Sequence, residues 1–357
     1  MKMFSLDILN FMICFLLTII STIMIIKNSN FFLKFRYKNT EGPQKIHRGE
    51  IPRIAGLSIF TVVGIMSLYT TDIEKDLFQL FFLVSIPIFI FGFLEDLTHA
   101  ISPRLRLLGA VVSSILYIIV CDSIIHKTNF YILDVLLNYQ AFSIFFTVLC
   151  ITFMTQAYNI IDGLNGLSLM TAIFTLIGIA IMAHKFDDIA ILHFTIYLII
   201  ILIGVLFFNF PYGKIFIGDA GAYIIGLYIS FSIIILTQNK EKVSAIFAIY
   251  LLIYPSYELV RSFFRRLISN KSSVFQPDNK HLHSLLHIKN YNKYNFKPVL
   301  INSLTSLQIT LFHLLNVIIA VNFFNNTKIL IVATITFIII YELFYFILTK
   351  KIESFQN

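Results

Sequence analysis

Apolar runs of roughly 17–25 residues recur along the chain, parted by short polar links, and each is long enough to cross a bilayer as a helix. They centre near residues 15, 62, 86, 114, 150, 174, 198, 228, 251, 311 and 338. A helix satisfies its own backbone hydrogen bonds in lipid, so the pattern predicts an all-α, polytopic integral membrane protein with about eleven transmembrane helices. The first run, Phe4 to Ile26, is too long for the apolar region of a signal peptide and no small-residue cleavage site follows it. It is therefore expected to remain as a span. No soluble domain or low-complexity tract interrupts the pattern, and residues 1–357 read as one transmembrane domain.

Composition agrees with this reading. The chain is 58% hydrophobic and 13% charged, against about 25% charged in a soluble domain. Cys14, Cys121 and Cys150 all fall in apolar runs and read as small hydrophobes. Charge sets the orientation. Spans joined by short links alternate in direction, so the odd-numbered links and the C-terminal tail share one side. That side holds 20 of the 27 Lys and Arg residues. The positive-inside rule then puts the odd links and the C-terminus in the cytoplasm and the N-terminus outside. A basic cytoplasmic face suits anionic lipid head groups or phosphorylated substrates. No nucleic-acid partner is expected.

The outer links "TTDIEKD", "AHKFDD" and "TQNKEK" are short charged hairpins. The inner ones carry chemistry: "GPQKIHRGEIPRIAGL", "GFLEDLTHAISPRLRLL", "NIIDGLNGLS", "NFPYGKIFIGDAGAYIIG" and "FQPDNKHLHSLLH". Carboxylates beside glycines or amides, together with Lys, Arg and His on one membrane face, suit a metal-bound diphosphate. Mg²⁺ takes one or two protein carboxylates and fills its shell from water and phosphate. In the fifth link Asn159 and Asp162 are three apart and share a face if the span stays helical to Asp162. Gly163 and Gly166 then permit a turn with close backbone approach, and Asn165 brings an amide suited to a nucleobase edge. A hydrated interfacial turn uses the same residues.

Asp219 opens a span, as metal ligand or as helix cap. Glu95 and Asp96 are adjacent acids, which favour a shared cation or a raised pKa. Arg104 and Arg106 suit phosphate or serve as cytoplasmic anchors. His281, His283 and His287 suit a phosphate contact or a solvated loop better than zinc, since no cysteine is near. Arg261, Arg265 and Arg266 punctuate an apolar stripe that reads as a surface helix. Glu342 and His313 lie inside spans with no partner readable.

In this order, "PRIAGL", "EDLTHAISPRLRLL", "NIIDGLNGL", "FIGDAG" and "PDNKHLH" resemble the polyprenyl-phosphate N-acetylhexosamine-1-phosphate transferases, over nearly the whole chain. The ninth link resembles the O-antigen and teichoic-acid branch, not the muramoyl-pentapeptide branch. The resemblance implies transfer of an N-acetylhexosamine 1-phosphate from a UDP-sugar to undecaprenyl phosphate, with UMP released and Mg²⁺, or Mn²⁺ in its place, required. It implies a bacterial inner membrane enzyme that initiates cell-surface polysaccharide synthesis. Its active site is expected in cytoplasmic loops 27–53, 95–106, 159–166, 209–219 and 261–298, and a homodimer is a family-level expectation.

By the same resemblance Asp219 is a principal Mg²⁺ ligand, with Asp162 an essential acid beside it. Asn159 and Asn209 match nucleotide-site residues. Gly163, Leu164, Asn165 and Phe216 match the uridine pocket, and His281 and His283 meet the diphosphate. Lys45, His47 and Arg53 fall in the matching first loop, and Arg104 joins the substrate-binding set. Where the family has two aspartates this chain has Glu95-Asp96, so the base for the lipid phosphate is Glu95 at longer reach or Asp96. A flippase for an anionic lipid-linked substrate is the alternative of another class. It would put its ionisable groups near the midplane within paired repeats, whereas the acids of these motifs sit at one face and no repeat is seen.

Overall fold

The structure is a computed structural model, which describes residues 2–33, 51–69, 72–240, 242–269 and 280–356. Among them every regular element is a helix. The first eight are α1 (Lys2–Lys27), α2 (Ser29–Leu33), α3 (Ala55–Tyr69), α4 (Asp72–Thr98), α5 (Pro103–Cys121), α6 (Tyr131–Leu137), α7 (Gln140–Ile161) and α8 (Leu167–Lys185). The rest are α9 (Ile189–Asn209), α10 (Gly218–Asn239), α11 (Ala245–Leu251), α12 (Ile253–Ser269), α13 (Leu282–Lys293), α14 (Pro298–Asn322) and α15 (Thr327–Gln356). Nine of these helices are long and apolar enough to cross a membrane, so the protein is a multi-pass membrane protein.

Two of the predicted spans take other forms. The run around residue 62 forms the 15-residue α3. The run around 251 is broken between α11 and α12 at Leu252, whose N–H turns back to the carbonyls of Ala248 and Tyr250. Pro255 has no N–H to give, and it sits in the first turn of α12, where none is required. A helix that restarts there is the arrangement this residue favours.

Helix α10 is the axis of the molecule. Its spanning window is 89% buried, against 22% for the peripheral α1 and α15, and it packs against α4, α7, α3 and α8. Hydrocarbon tails are as apolar as leucine, so helices in lipid gain from close van der Waals approach, which small residues allow. A Cβ on Gly56 of α3 would stand 2.7 Å from Gly221 Cα of α10, and one on Gly92 of α4 would stand 2.7 Å from Ala220 Cα. Backbone thus meets backbone where the amino end of α10 enters the bundle.

The links sort to opposite ends. At one end Gln238 Oε1 accepts the N–H groups of His126 (2.9 Å) and Lys127 (3.2 Å). There Asn129 Oδ1 also takes the N–H of Ala245 at 3.1 Å, and Phe324 O that of Ser244 at 2.9 Å. The fourth, eighth and tenth links meet here. The described parts of the odd-numbered links gather at the other end.

Candidate active site

Each turn at that end is built by local signals. Helix α4 stops at Thr98, and His99 follows in the left-handed conformation at φ 54°. Ser102 caps α5 by accepting the N–H of Leu105, with Pro103 at the first helical position. Between them Glu95 Oε2 accepts the N–H of Ile101 at 2.8 Å, tying the turn back to the helix it leaves. The α7–α8 turn runs from Asp162 to Gly166, and the N–H of Gly166 donates to Asn209 Oδ1 at 2.5 Å. Asn209 Nδ2 donates in turn to Ile215 O at 2.7 Å, so one amide pins two links together.

The amino end of α10 is the meeting point. Phe216 N–H donates to Pro52 O at 2.9 Å, and the N–H groups of Ala55 and Gly56 return to Phe216 O and Ile217 O at 3.0 and 2.9 Å. Gly218 then turns at φ +75°, with Arg53 O and the Asp96 carboxylate pressed against the position of a Cβ. Only glycine takes that conformation without strain and leaves that room. Asp96, 7% exposed, accepts the N–H of Asp219 on Oδ1 (2.7 Å) and that of Ala220 on Oδ2 (2.9 Å). Its carboxylate is a helix cap supplied from another helix, and it complements the positive end of α10.

Asp219 is 8% exposed, and its Oδ2 receives Arg106 Nη1 and, at 3.5 Å, the hydroxyl of Tyr223 one turn along. Asn159 Nδ2 donates to that hydroxyl at 3.1 Å, which carries the contact back to the fifth link. Asp162 follows α7. Its carboxyl is pushed up to about 7, chiefly by burial, with the charge of Asp219 adding to the rise and that of Arg53 opposing it. Glu95, Asp96, Asp162 and Asp219 thus share one electrostatic neighbourhood with Arg53 and Arg106. Carboxyl groups crowded this closely, with Asp162 already driven toward its protonated form, make a place where a cation would relieve the repulsion. No group of three His, Cys, Asp or Glu side chains among the described residues is placed to hold a metal. A cation would rest on one or two carboxylates and fill its shell from water and substrate, which is the habit of Mg²⁺.

The ninth link closes the other side. A Cβ on Gly163 would collide with the His283 ring, 2.9 Å from its Cδ2. His281 lies parallel to His283 at 5.3 Å between ring centroids. Burial first, then the neighbouring His281, pushes His283 down to about 3, so its ring is neutral at physiological pH. His281 Nδ1 lies 3.2 Å from Glu258 Oε2.

Of the residues expected from the sequence, Glu95, Asp96, Asp162, Asp219, Asn159, Gly163, Arg53, His281 and His283 come together. Phe216 joins them through its backbone, half-buried beside the first link. Leu164 is buried in the apolar core, and Asn209 is enclosed with both ends of its amide engaged by backbone. Asn165 is fully buried, its N–H on Asn302 Oδ1 and its Nδ2 on Pro211 O, while its Oδ1 has no hydrogen-bond partner. Arg104 is exposed, and Arg106, two residues on, is the arginine that reaches Asp219. Lys45 and His47 lie outside the described residues.

The buried face of α5 is Gly109, Ala110, Ser113, Ser114 and Tyr117, and Arg106 extends it by one turn. That periodicity was the signal favouring Arg106 over Arg104. Tyr223 and Glu258 were also missed. Each stands four residues from a residue that already stood out or is buried, Asp219 for Tyr223 and Tyr254 for Glu258. The two ionisable residues without a readable partner now have one. Glu342 accepts Arg261 Nε at 2.7 Å, and His313 Nε2 meets Thr175 Oγ1 at 3.0 Å.

The family described as glycosyl transferase family 4 matches residues 78–237. A Thermotoga maritima protein named undecaprenyl-phosphate alpha-N-acetylglucosaminyl 1-phosphate transferase is 29% identical over 261 residues, 73% of this chain and 76% of that one. A Bacillus subtilis protein named as a probable undecaprenyl-phosphate N-acetylglucosaminyl 1-phosphate transferase is 30% identical over 254 residues, 68% of this chain and 67% of its own. A Haemophilus influenzae protein with the same name as the Thermotoga one is 30% identical over 267 residues, 68% and 69% of the two chains.

Proposed function

The chain belongs to glycosyl transferase family 4, and from that premise we propose that it transfers an N-acetylhexosamine 1-phosphate from a UDP-sugar to undecaprenyl phosphate. UDP-GlcNAc is the first candidate donor, because the relatives are named for N-acetylglucosaminyl 1-phosphate transfer. The product, an undecaprenyl-diphosphate sugar, would prime a cell-surface polysaccharide. The basic, acid-bearing end would face the cytoplasm of a bacterial inner membrane, with the N-terminus outside.

One observation carries the reading. Links far apart in sequence are hydrogen-bonded around the amino end of α10, with Asp219 at the centre and Asp96, Asp162, Arg53, Arg106 and the histidine pair about it. Phosphoryl transfer asks a protein mainly for position and charge balance. An oxygen of the lipid phosphate attacks the β-phosphorus of the UDP-sugar, and a new P–O bond forms. The bond from that phosphorus to the bridging oxygen breaks, and this oxygen leaves on UMP.

Asp219 and Asp162 would hold Mg²⁺, which when bound supplies Lewis-acid stabilisation to the diphosphate. Arg106, now on Asp219, and Arg53 would balance phosphate charge. His283, neutral and against Gly163, offers a hydrogen bond without adding charge. Asp96 holds the backbone of Asp219 in place, which leaves Glu95, with one carboxylate oxygen not engaged by Ile101, as the base for the lipid phosphate.

The test is release of UMP by purified protein given undecaprenyl phosphate and a panel of UDP-N-acetylhexosamines, with and without Mg²⁺. Release is expected only when lipid acceptor and cation are both present, and Asp219→Asn should abolish it while leaving the protein folded. An active wild type that needs no lipid acceptor, or no UMP release from any donor, would refute the reading.

A further inference from the structure

Glu258 belongs to none of the motifs that carry the resemblance, yet it is among the most enclosed acids of the chain, 2% exposed on α12. Three donors surround it. Oε1 accepts the hydroxyl of Tyr341 at 2.7 Å and the N–H of Leu282 at 3.1 Å, and Oε2 faces His281 Nδ1 at 3.2 Å. The helix that begins at Leu282 has His281 as its cap residue, and His281 makes no side-chain cap of its own. Glu258 therefore does two things from across the interface. It satisfies an N–H at the start of α13, and it fixes the ring of the cap residue.

The adjoining backbone is held in the same way. Lys280 O accepts Arg265 Nη1 at 2.6 Å from α12 and the Tyr345 hydroxyl at 2.9 Å from α15. The ring of His281 is then stacked on His283, and His283 is packed against Gly163 in the acid-bearing turn. A line of contact runs from Tyr341 through Glu258, His281 and His283 to Asp162's neighbour.

We propose that Glu258 is a positioning residue for the active site, fixing the orientation and tautomer of His281 so that the histidine pair meets the substrate diphosphate. A carboxylate offers only lone pairs, so the proton between the two groups sits on Nδ1, and Nε2 across the ring is the nitrogen left for a ligand. Orienting carboxylates behind histidines do this at metal centres, where their loss costs on the order of 10–100-fold in affinity or activity. Glutamine at 258 keeps the shape but has one acceptor oxygen for three donors. Whichever way its amide lies, either Tyr341 and Leu282 lose their acceptor or the NH₂ group faces Nδ1 and drives its proton to Nε2.

The inference rests on the transferase reading, and a double-mutant cycle separates the two. Wild type, Glu258→Gln, His281→Ala and the double variant are compared for kcat and KM with UDP-GlcNAc, and for thermal midpoint. Glu258→Gln should lower kcat/KM on the order of 10–100-fold, and Glu258→Asp, which keeps the charge, should lower it less. If Glu258 acts through His281, the double variant should fall within about twofold of His281→Ala alone. A merely structural Glu258 would lower the His281→Ala enzyme by the same factor as the wild type. That result, or a Glu258→Gln enzyme equal to wild type, overturns the inference alone. A wild type that releases no UMP overturns the transferase reading and this inference with it. Should Glu258→Gln fail to fold, Glu258→Asp completes the cycle with the same criteria.

Discussion

Replacing Asp96 by asparagine separates a cap from a base. Both carboxylate oxygens accept backbone N–H groups at the start of α10, 2.7 Å from Asp219 and 2.9 Å from Ala220. Asparagine keeps one of these bonds and turns an NH₂ group toward the other donor. A hydrogen bond to a charged group contributes roughly 1.5–3 kcal/mol net, and a buried N–H left unpaired costs about 1–3 kcal/mol. Loss of a cap by itself costs about 0.5–2 kcal/mol. These terms overlap, so a total of about 3 kcal/mol is expected, a sizeable part of the roughly 5–15 kcal/mol that holds a typical domain together.

The chain has no Trp, and its three cysteines are free, with Cys14 buried. On a Cys121→Ser, Cys150→Ser background a thiol-reactive dye in detergent therefore reports exposure of Cys14 on unfolding. Asp96→Asn should lower the thermal midpoint clearly. Activity should fall because the backbone that carries Asp219 is no longer held, while the pH–rate profile keeps its shape. An Asp96→Asn enzyme with the wild-type midpoint, kcat reduced about 10²–10⁴-fold and one limb of the pH profile lost would refute the reasoning and make Asp96 the base.

Glu95→Gln should show the converse, since glutamine can keep the Ile101 hydrogen bond. Its midpoint should be unchanged and its kcat about 10²–10⁴-fold lower, as read from initial rates against pH at saturating donor. Gly56→Ala should fail to give folded protein at wild-type yield, because its Cβ would fall 2.7 Å from Gly221 Cα, and gel-filtration profiles in detergent will show this.

The Asp162 carboxyl, raised from 3.8 to about 7, holds its proton more tightly folded than unfolded. Its contribution makes metal-free protein lose stability as pH rises from about 4 to about 7 and level off above. Midpoints measured against pH should show that slope in wild type and a flatter one in Asp162→Asn. A cysteine at Lys289 should be labelled only from the cytoplasmic side, and one at Lys240 only from outside. Labelling of both from the same side would overturn the expected topology.

The sequence alone determined the class of fold and the cast of the site. Run length and apolarity are properties of a segment taken by itself, so spans could be counted before any neighbour was known. The order of the motifs pointed to the family, because a turn such as Asp162–Gly166 carries its acid and its glycines together.

The division of labour depended on tertiary structure. Glu95 and Asp96 are equivalent as letters. They differ because helix phase aims Asp96 at the amino end of α10 and leaves Glu95 half-buried by the Ile101 turn. The same phase chose Arg106 over Arg104 for Asp219. Asn209, expected beside the nucleotide, is enclosed as a brace between two links, since only the packing of α8 against α9 brings Gly166 N–H to it. Spacing from Tyr254 could mark Glu258 as buried but not its task, because its three partners are Leu282 of α13, the cap residue His281 and Tyr341 of α15. A side chain's task follows from which donors reach it, and those donors arrive from helices that meet only when the bundle closes.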